Sequence, residues 1–188
     1  MNRANTNDVS AKFGMGRSEI TESKGTVTIE FFVHSLVETD QFGRLLAEGL
    51  PDGAVVALIG TLGAGKTRLV QAVAEASGVP KGVVSSPTFV LLHEYEGKRP
   101  IYHFDAYRLA DAAEFRRLGP DDYFEGTGLT FVEWADKFPE VLPDERLEIR
   151  ITVLDDDMRR FELSAFGDRY NQLDIDEADG FLRNRCGK

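Results

Sequence analysis

The hydrophobic positions of this chain fall into short blocks separated by polar turns. Thr26 to Phe32 alternates apolar and polar side chains, the two-residue period of a half-buried strand. From Glu38 to Leu50 the period changes: Phe42, Leu45 and Leu46 recur at helical spacing, and Pro51-Asp52-Gly53 ends the helix in a turn. Ala54 to Ile59 is uniformly apolar, as a strand covered on both faces is. Residues 66 to 77 are helix formers, with Leu69, Val70 and Val73 on one side and a stop at Gly78-Val79-Pro80. An exposed loop, Ser85-Ser86-Pro87-Thr88, leads into the apolar segment Phe89 to Leu92. Ile101 to Phe104 and Leu129 to Val132 read as further strands, with a short helix over 111 to 118 between them, closed by Gly119-Pro120. Leu147 to Val153 and Phe161 to Phe166 read as an antiparallel pair joined by the acidic turn Asp155-Asp156-Asp157.

Strands that alternate with helices predict an α/β, three-layer architecture with a mainly parallel sheet. The last pair is expected to extend it as an antiparallel C-terminal edge. Residues 1 to 25 carry no sustained periodicity and are read as a disordered N-terminal extension. Residues 26 to 170 are the expected domain, and 171 to 188 a C-terminal helix or tail.

Composition narrows the partners more than the fold. The chain carries 22 Lys and Arg against 32 Asp and Glu, a formal net charge of -10. Non-specific nucleic-acid binding depends on cations that neutralise phosphate, so a chain this acidic should reach RNA only through another protein. No apolar run has the length of a membrane span, and the first residues lack the apolar core of a secretory signal. Cys186 is the only cysteine, which excludes an internal disulfide. The expected location is the cytoplasm.

The chemistry begins between the uniformly apolar strand and the helix after it. Gly60-Thr61-Leu62-Gly63-Ala64-Gly65-Lys66-Thr67 has the spacing of a phosphate-cradling loop: Gly, four residues, Gly-Lys, then Ser or Thr. Glycines allow positive φ, so that backbone N–H groups close on phosphate oxygens at a helix N-terminus. Lys66 would reach the β- and γ-phosphates and the Thr67 hydroxyl would hold Mg2+. Hydrolysis further needs a carboxylate near the metal and an aimed water. Two apolar strands end in an acid, at Asp105 and Glu133, and in an open parallel sheet such ends line the ligand crevice. Thr88 can report the γ-phosphate from its loop. His103 reads as a packed strand residue, Trp134 as a core or nucleotide-facing aromatic, and His34 and His93 have no clustered ligand partners. These features predict a P-loop NTPase fold.

The motifs in order are the loop at 60–67, Ser86-Pro87-Thr88-Phe89, Tyr102-His103-Phe104-Asp105-x-Tyr107-Arg108-Leu109, Asp122-Tyr123-Phe124 and Glu133-Trp134. Together they resemble the bacterial TsaE (YjeE) family, from about residue 30 to about residue 166. That resemblance implies a small ATPase required for threonylcarbamoylation of adenosine 37 in tRNAs that read ANN codons, working with the TsaD and TsaB proteins. It implies ATP and Mg2+ as cofactors. It places the nucleotide on residues 60 to 67 and on Arg68, Trp134 and Arg159, with Thr67, Asp105 and Glu133 near the metal. Lys66, Thr88, Asp105 and Glu133 would be the catalytic set, and either acid can ligate metal or activate water. The absence of an Asn/Thr-Lys-x-Asp segment favours ATP over GTP, by analogy with GTP-binding families. The chain departs from the family at Thr61, where Asp is usual, and in its N-terminal extension. Two other readings share the loop: a small-molecule kinase, with Arg108, Arg116 and Arg117 as a thin lid, and a nucleotide-gated binding module.

Overall fold

The computed structural model describes residues 19–23 and 26–170. One eight-stranded sheet runs through it: β1 (Glu19–Ser23), β2 (Thr26–Val33), β3 (Val55–Ile59), β4 (Leu92–Tyr95), β5 (Ile101–Asp105), β6 (Leu129–Glu133), β7 (Arg146–Val153) and β8 (Arg159–Phe166). The spatial order is β1-β2-β8-β7-β3-β6-β5-β4. β7, β3, β6 and β5 are mutually parallel, whereas β8, β2 and β1 add on antiparallel beside β7. The expected α/β sheet with its antiparallel side is present, and that side is wider than the C-terminal pair alone. β2 lies against β8, and Glu19–Ser23, in the stretch expected to lie outside the fold, pairs with β2. The expected tail at 171 to 188 lies outside the described residues, as do residues 1–18 and 24–25.

Helices cover both faces. α1 (Leu36–Gly49) starts at Ser35, whose side chain accepts the Glu38 N–H, and α2 (Lys66–Ala76) packs beside it. The two helices meet closely at Gly43, where a Cβ would lie 2.4 Å from the Ala72 Cβ. On the opposite face lie α3 (Ala112–Arg116) and α4 (Pro120–Phe124). Pro120, read from sequence as closing the preceding helix, instead opens α4, where the missing proline N–H costs no hydrogen bond.

Alternation along β3 divides the core in two. Val56 and Leu58 face α1 and α2 with Leu69, Val70 and Phe131. Val55, Ala57 and Ile59 face the other way, with Phe104, Phe115 and Phe124. The Tyr170 hydroxyl accepts the Val55 N–H at 2.8 Å and donates to the Val55 carbonyl at 3.1 Å. It thereby satisfies the first residue of β3, since pairing with β7 begins only at Val56.

Candidate nucleotide site

β3 delivers the chain to the sheet edge, and the loop turns at once into α2. Gly60 takes φ 154°, and a Cβ there would meet the Ile151 carbonyl oxygen of β7 at 2.5 Å, so the position has no room for a side chain. Gly65 caps α2 in the left-handed region and contributes no side-chain cap. The first N–H groups of an α-helix have no partner within it, and a helix start carries a partial positive charge. Gly63 and Gly65 leave open space where a Cβ would stand. An exposed turn that opens a helix, with only the Ala64 N–H bonded back to the Thr61 carbonyl among the described residues, fits a chain of phosphates.

Lys66 is buried, and its Nζ donates to the carbonyls of Gly60 (2.7 Å) and Thr61 (3.0 Å) in its own loop. The ammonium also lies 3.9 Å from the centre of the Trp134 ring. Burial pushes the Lys66 pKa below its ordinary value, while Glu133, Asp105 and Asp136 pull it up. A buried cation held by two carbonyls and a ring is well placed to take up an anionic ligand.

The two acids converge here because strand register brings them together. β5 and β6 run in parallel with Asp105 opposite Glu133, and both are buried. The Thr67 hydroxyl donates to Glu133 Oε1 at 2.6 Å. The same oxygen is 2.8 Å from His103 Nε2, in a pair buried from solvent. A carboxylate only accepts, so Nε2 carries the proton of that bond. Asp105 uses both oxygens: Oδ1 accepts the Tyr107 N–H at 2.8 Å, and Oδ2 accepts the Thr88 hydroxyl and, at 3.3 Å, the Ser86 hydroxyl. The Thr88–Asp105 and Thr67–Glu133 pairs thus stand on adjacent strand ends, both acids within electrostatic reach of Lys66.

Three other expected residues sit differently. Leu62 is 80% exposed at the tip of the loop. Arg68 turns to α1, where it pairs with Asp40, and donates to Gln71 at 3.4 Å. Arg159 opens β8 and donates to the Asp156 carbonyl in the β7–β8 turn, at the same end of the sheet as the loop. The arginines of a kinase-like lid are engaged elsewhere: Arg116 reaches the Glu140 carbonyl, Arg117 pairs with Glu114, and Arg108 lies over Phe89.

His103 is the residue that the sequence reading assigned to packing and that the structure brings to the site. A signal for it existed. Alternation along β5 puts His103 on the same side as Asp105, and a polar side chain in a strand buried everywhere but at Tyr102 needs a partner. Lys137, just past Trp134, gave no such signal. The two non-glycine residues with positive φ are also here among the described residues: Trp134 directly after Glu133, and Leu91, whose carbonyl accepts the Asp105 N–H. Such strained backbone concentrates where a side chain must be aimed.

The family model described as "Threonylcarbamoyl adenosine biosynthesis protein TsaE" matches residues 33–161. The chain belongs to the TsaE family. It is 44% identical over 137 residues to the tRNA threonylcarbamoyladenosine biosynthesis protein TsaE of Bacillus subtilis (strain 168), covering 72% of this chain and 85% of that protein. It is also 44% identical over 119 residues to the TsaE protein of Synechocystis sp., covering 61% and 74%. The crystal structure of YdiB from Bacillus subtilis superposes with a TM-score of 0.72 at 35% identity, over 85% of this chain and 99% of that one. The residues matched by the TsaE family model include the loop, Thr88, both acids and Trp134.

Proposed function

We propose that this TsaE-family chain is an ATPase of tRNA threonylcarbamoyladenosine biosynthesis, working in the cytoplasm with TsaB and TsaD and meeting tRNA only through them. The observation that carries the reading is the Thr67–Glu133 hydrogen bond of 2.6 Å, which joins the phosphate loop to an acidic strand end. That pairing of a loop hydroxyl with a neighbouring carboxylate is the donor set that Mg2+ uses beside a nucleoside triphosphate. Among the described residues no three His, Cys, Asp or Glu cluster as metal ligands, so the metal would take Thr67, carboxylate and phosphate oxygens together.

Bound Mg-ATP supplies the phosphoryl group to be transferred and the cation that neutralises it. Lys66 is ready to exchange the Gly60 and Thr61 carbonyls for phosphate oxygens. The two acids divide by what already occupies them. Both Asp105 oxygens accept hydrogen bonds, which fix the carboxylate beside Thr88. Glu133 places its bonds from Thr67 and His103 on Oε1 alone, and among the described residues Oε2 accepts none. Glu133 Oε2 is therefore the better proton acceptor for an attacking water, and Asp105 the better anchor for metal and sensor.

The test is ATP hydrolysis by the chain alone and with TsaB–TsaD, read together with threonylcarbamoyladenosine formation in tRNA. Slow ADP release that rises with the partners is expected. Unchanged tRNA modification after Lys66→Ala would overturn the reading. Intact ATP after prolonged incubation with partners would instead support a nucleotide-gated module, and transfer to a small acceptor faster than to water a kinase.

A further inference from the structure

Lys137 stands outside the phosphate loop and outside both acidic strands, in the short 3-10 turn Ala135–Lys137 that follows Trp134. Its ammonium donates to three backbone carbonyls: Ala106 at 3.1 Å, Tyr107 at 2.7 Å and Leu109 at 2.8 Å. An ammonium has three N–H donors, so the group is saturated, and all three acceptors belong to the turn that begins directly after Asp105. Lys137 thus spans from the end of β6 to the end of β5.

The held turn touches the site twice. The Tyr107 N–H donates to Asp105 Oδ1, and the Tyr107 ring lies 4.9 Å from the Trp134 ring, which in turn covers Lys66. Backbone bonding between the strand ends is already present, with the Ala106 N–H on the Glu133 carbonyl at 3.0 Å. That bond fixes only the first residue of the turn. The carbonyls of Tyr107 and Leu109 take Lys137, and with them go the direction of the Tyr107 N–H and the position of its ring. A lone surface lysine commonly adds little to stability. A lysine that places all three donors on one turn beside two carboxylates is doing something more specific.

We propose that Lys137 is a positioning residue: by clamping the Ala106–Leu109 turn it sets Asp105 through the Tyr107 N–H, and sets the aromatic cover of Lys66 through the Tyr107–Trp134 contact. Its effect on turnover rests on the ATPase reading above; its effect on the aromatic pair does not.

Two variants test it. Lys137→Met removes the donors and keeps the apolar stem, and Lys137→Arg keeps a cation able to reach carbonyls. Trp134 is the only tryptophan, so its emission reports the aromatic pair without nucleotide. Lys137→Met should shift that emission and raise its quenching by acrylamide, with Lys137→Arg nearer the parent. In steady-state hydrolysis, Lys137→Met should lower kcat by roughly tenfold and change KM for ATP by less than about twofold, as expected when a group fixed for the transition state loosens. Lys137→Arg should recover part of the loss. A folded Lys137→Met with parent emission and parent kcat would overturn the proposal. So would a loss of kcat that Lys137→Arg does not recover and that falls in step with thermal stability, because a merely structural lysine gives that pattern. Shifted emission in a protein with no hydrolysis at all would uphold the clamp and count against the ATPase reading alone.

Discussion

The two halves of the sheet are built to different rules. β3 and β6 are five residues each and buried at every position, and β5 is nearly so. β7 and β8 are eight residues each and alternate, with Leu147, Ile149 and Ile151 inward and charged residues such as Arg150 outward. The cause is cover: helices lie on both faces of β3, β5 and β6, whereas β7, although parallel to β3, and β8 leave one face to solvent. A polar residue on the outer face of β8 is cheap, and Arg160 meets Glu30 and Glu162 there in half-exposed pairs. A buried polar residue in β5 or β6 needs a partner, and His103, Asp105, Thr130 and Glu133 each have one, although among the described residues His103 Nδ1 has none. Asp105 and Glu133 close their strands at the same end, and buried acids there mark the candidate site.

The largest test of that contrast is Glu133→Gln. It keeps size and removes the base, and turnover should fall by about a hundredfold or more in steady-state hydrolysis. Nearly parent turnover would mean that the buried carboxylate is structural. Next in size is packing. On β6, both neighbours Phe131 and Val132 face a core, so Phe131→Ala should cost about 3–5 kcal/mol in urea unfolding and Val132→Ala a measurable fraction of that. On β7 only one of two neighbours should matter: Ile149→Ala about 2–5 kcal/mol and Arg150→Ala within about 0.5 kcal/mol. Equal costs at Ile149 and Arg150 would erase the distinction between the halves.

A smaller effect is expected at the seam. Burial holds the Tyr170 phenol protonated above its ordinary value of 10.0, against the Val55 bond and Arg169. A raised pKa gives stability that is complete below pH 10 and lost as pH climbs through the folded-state value. Tyr170→Phe should cost about 1 kcal/mol at neutral pH and show a shallower alkaline loss, measured by unfolding at pH 7 and above pH 10. The smallest effect belongs to Arg160→Ala, expected within about 0.5 kcal/mol because its pairs are partly solvated.

What was legible in the sequence follows the same division. The phosphate loop is local: eight consecutive residues carry the spacing, and the apolar run before them is unambiguous. The acidic strand ends were readable one at a time, because each closes an apolar block. Their joining was not, since the Thr88–Asp105 contact spans 17 positions and the Thr67–Glu133 contact 66. On the other half, β2 and β8 read as strands from alternation, but no local pattern states that they pair with each other across the chain. β4 was hidden for a different reason: Phe89 and Val90, the most apolar part of its neighbourhood, are exposed, and the strand proper is Leu92–Tyr95. Lys137 illustrates the remaining class, since its partners are backbone carbonyls and carbonyls have no sequence signature.

The close approach at Gly43 has a reach that its location conceals. α2 cannot shift without moving its own first turn, and that first turn is the floor of the phosphate loop. A methyl group at residue 43 would meet Ala72 and the backbone of Val73, so it would wedge α2 from its far side. On the proposed nucleotide reading, the spacing between the two helices would act back on the loop through α2. A hydrogen atom in place of a methyl, facing α2 midway along its length, lets that helix sit where its first turn meets the loop.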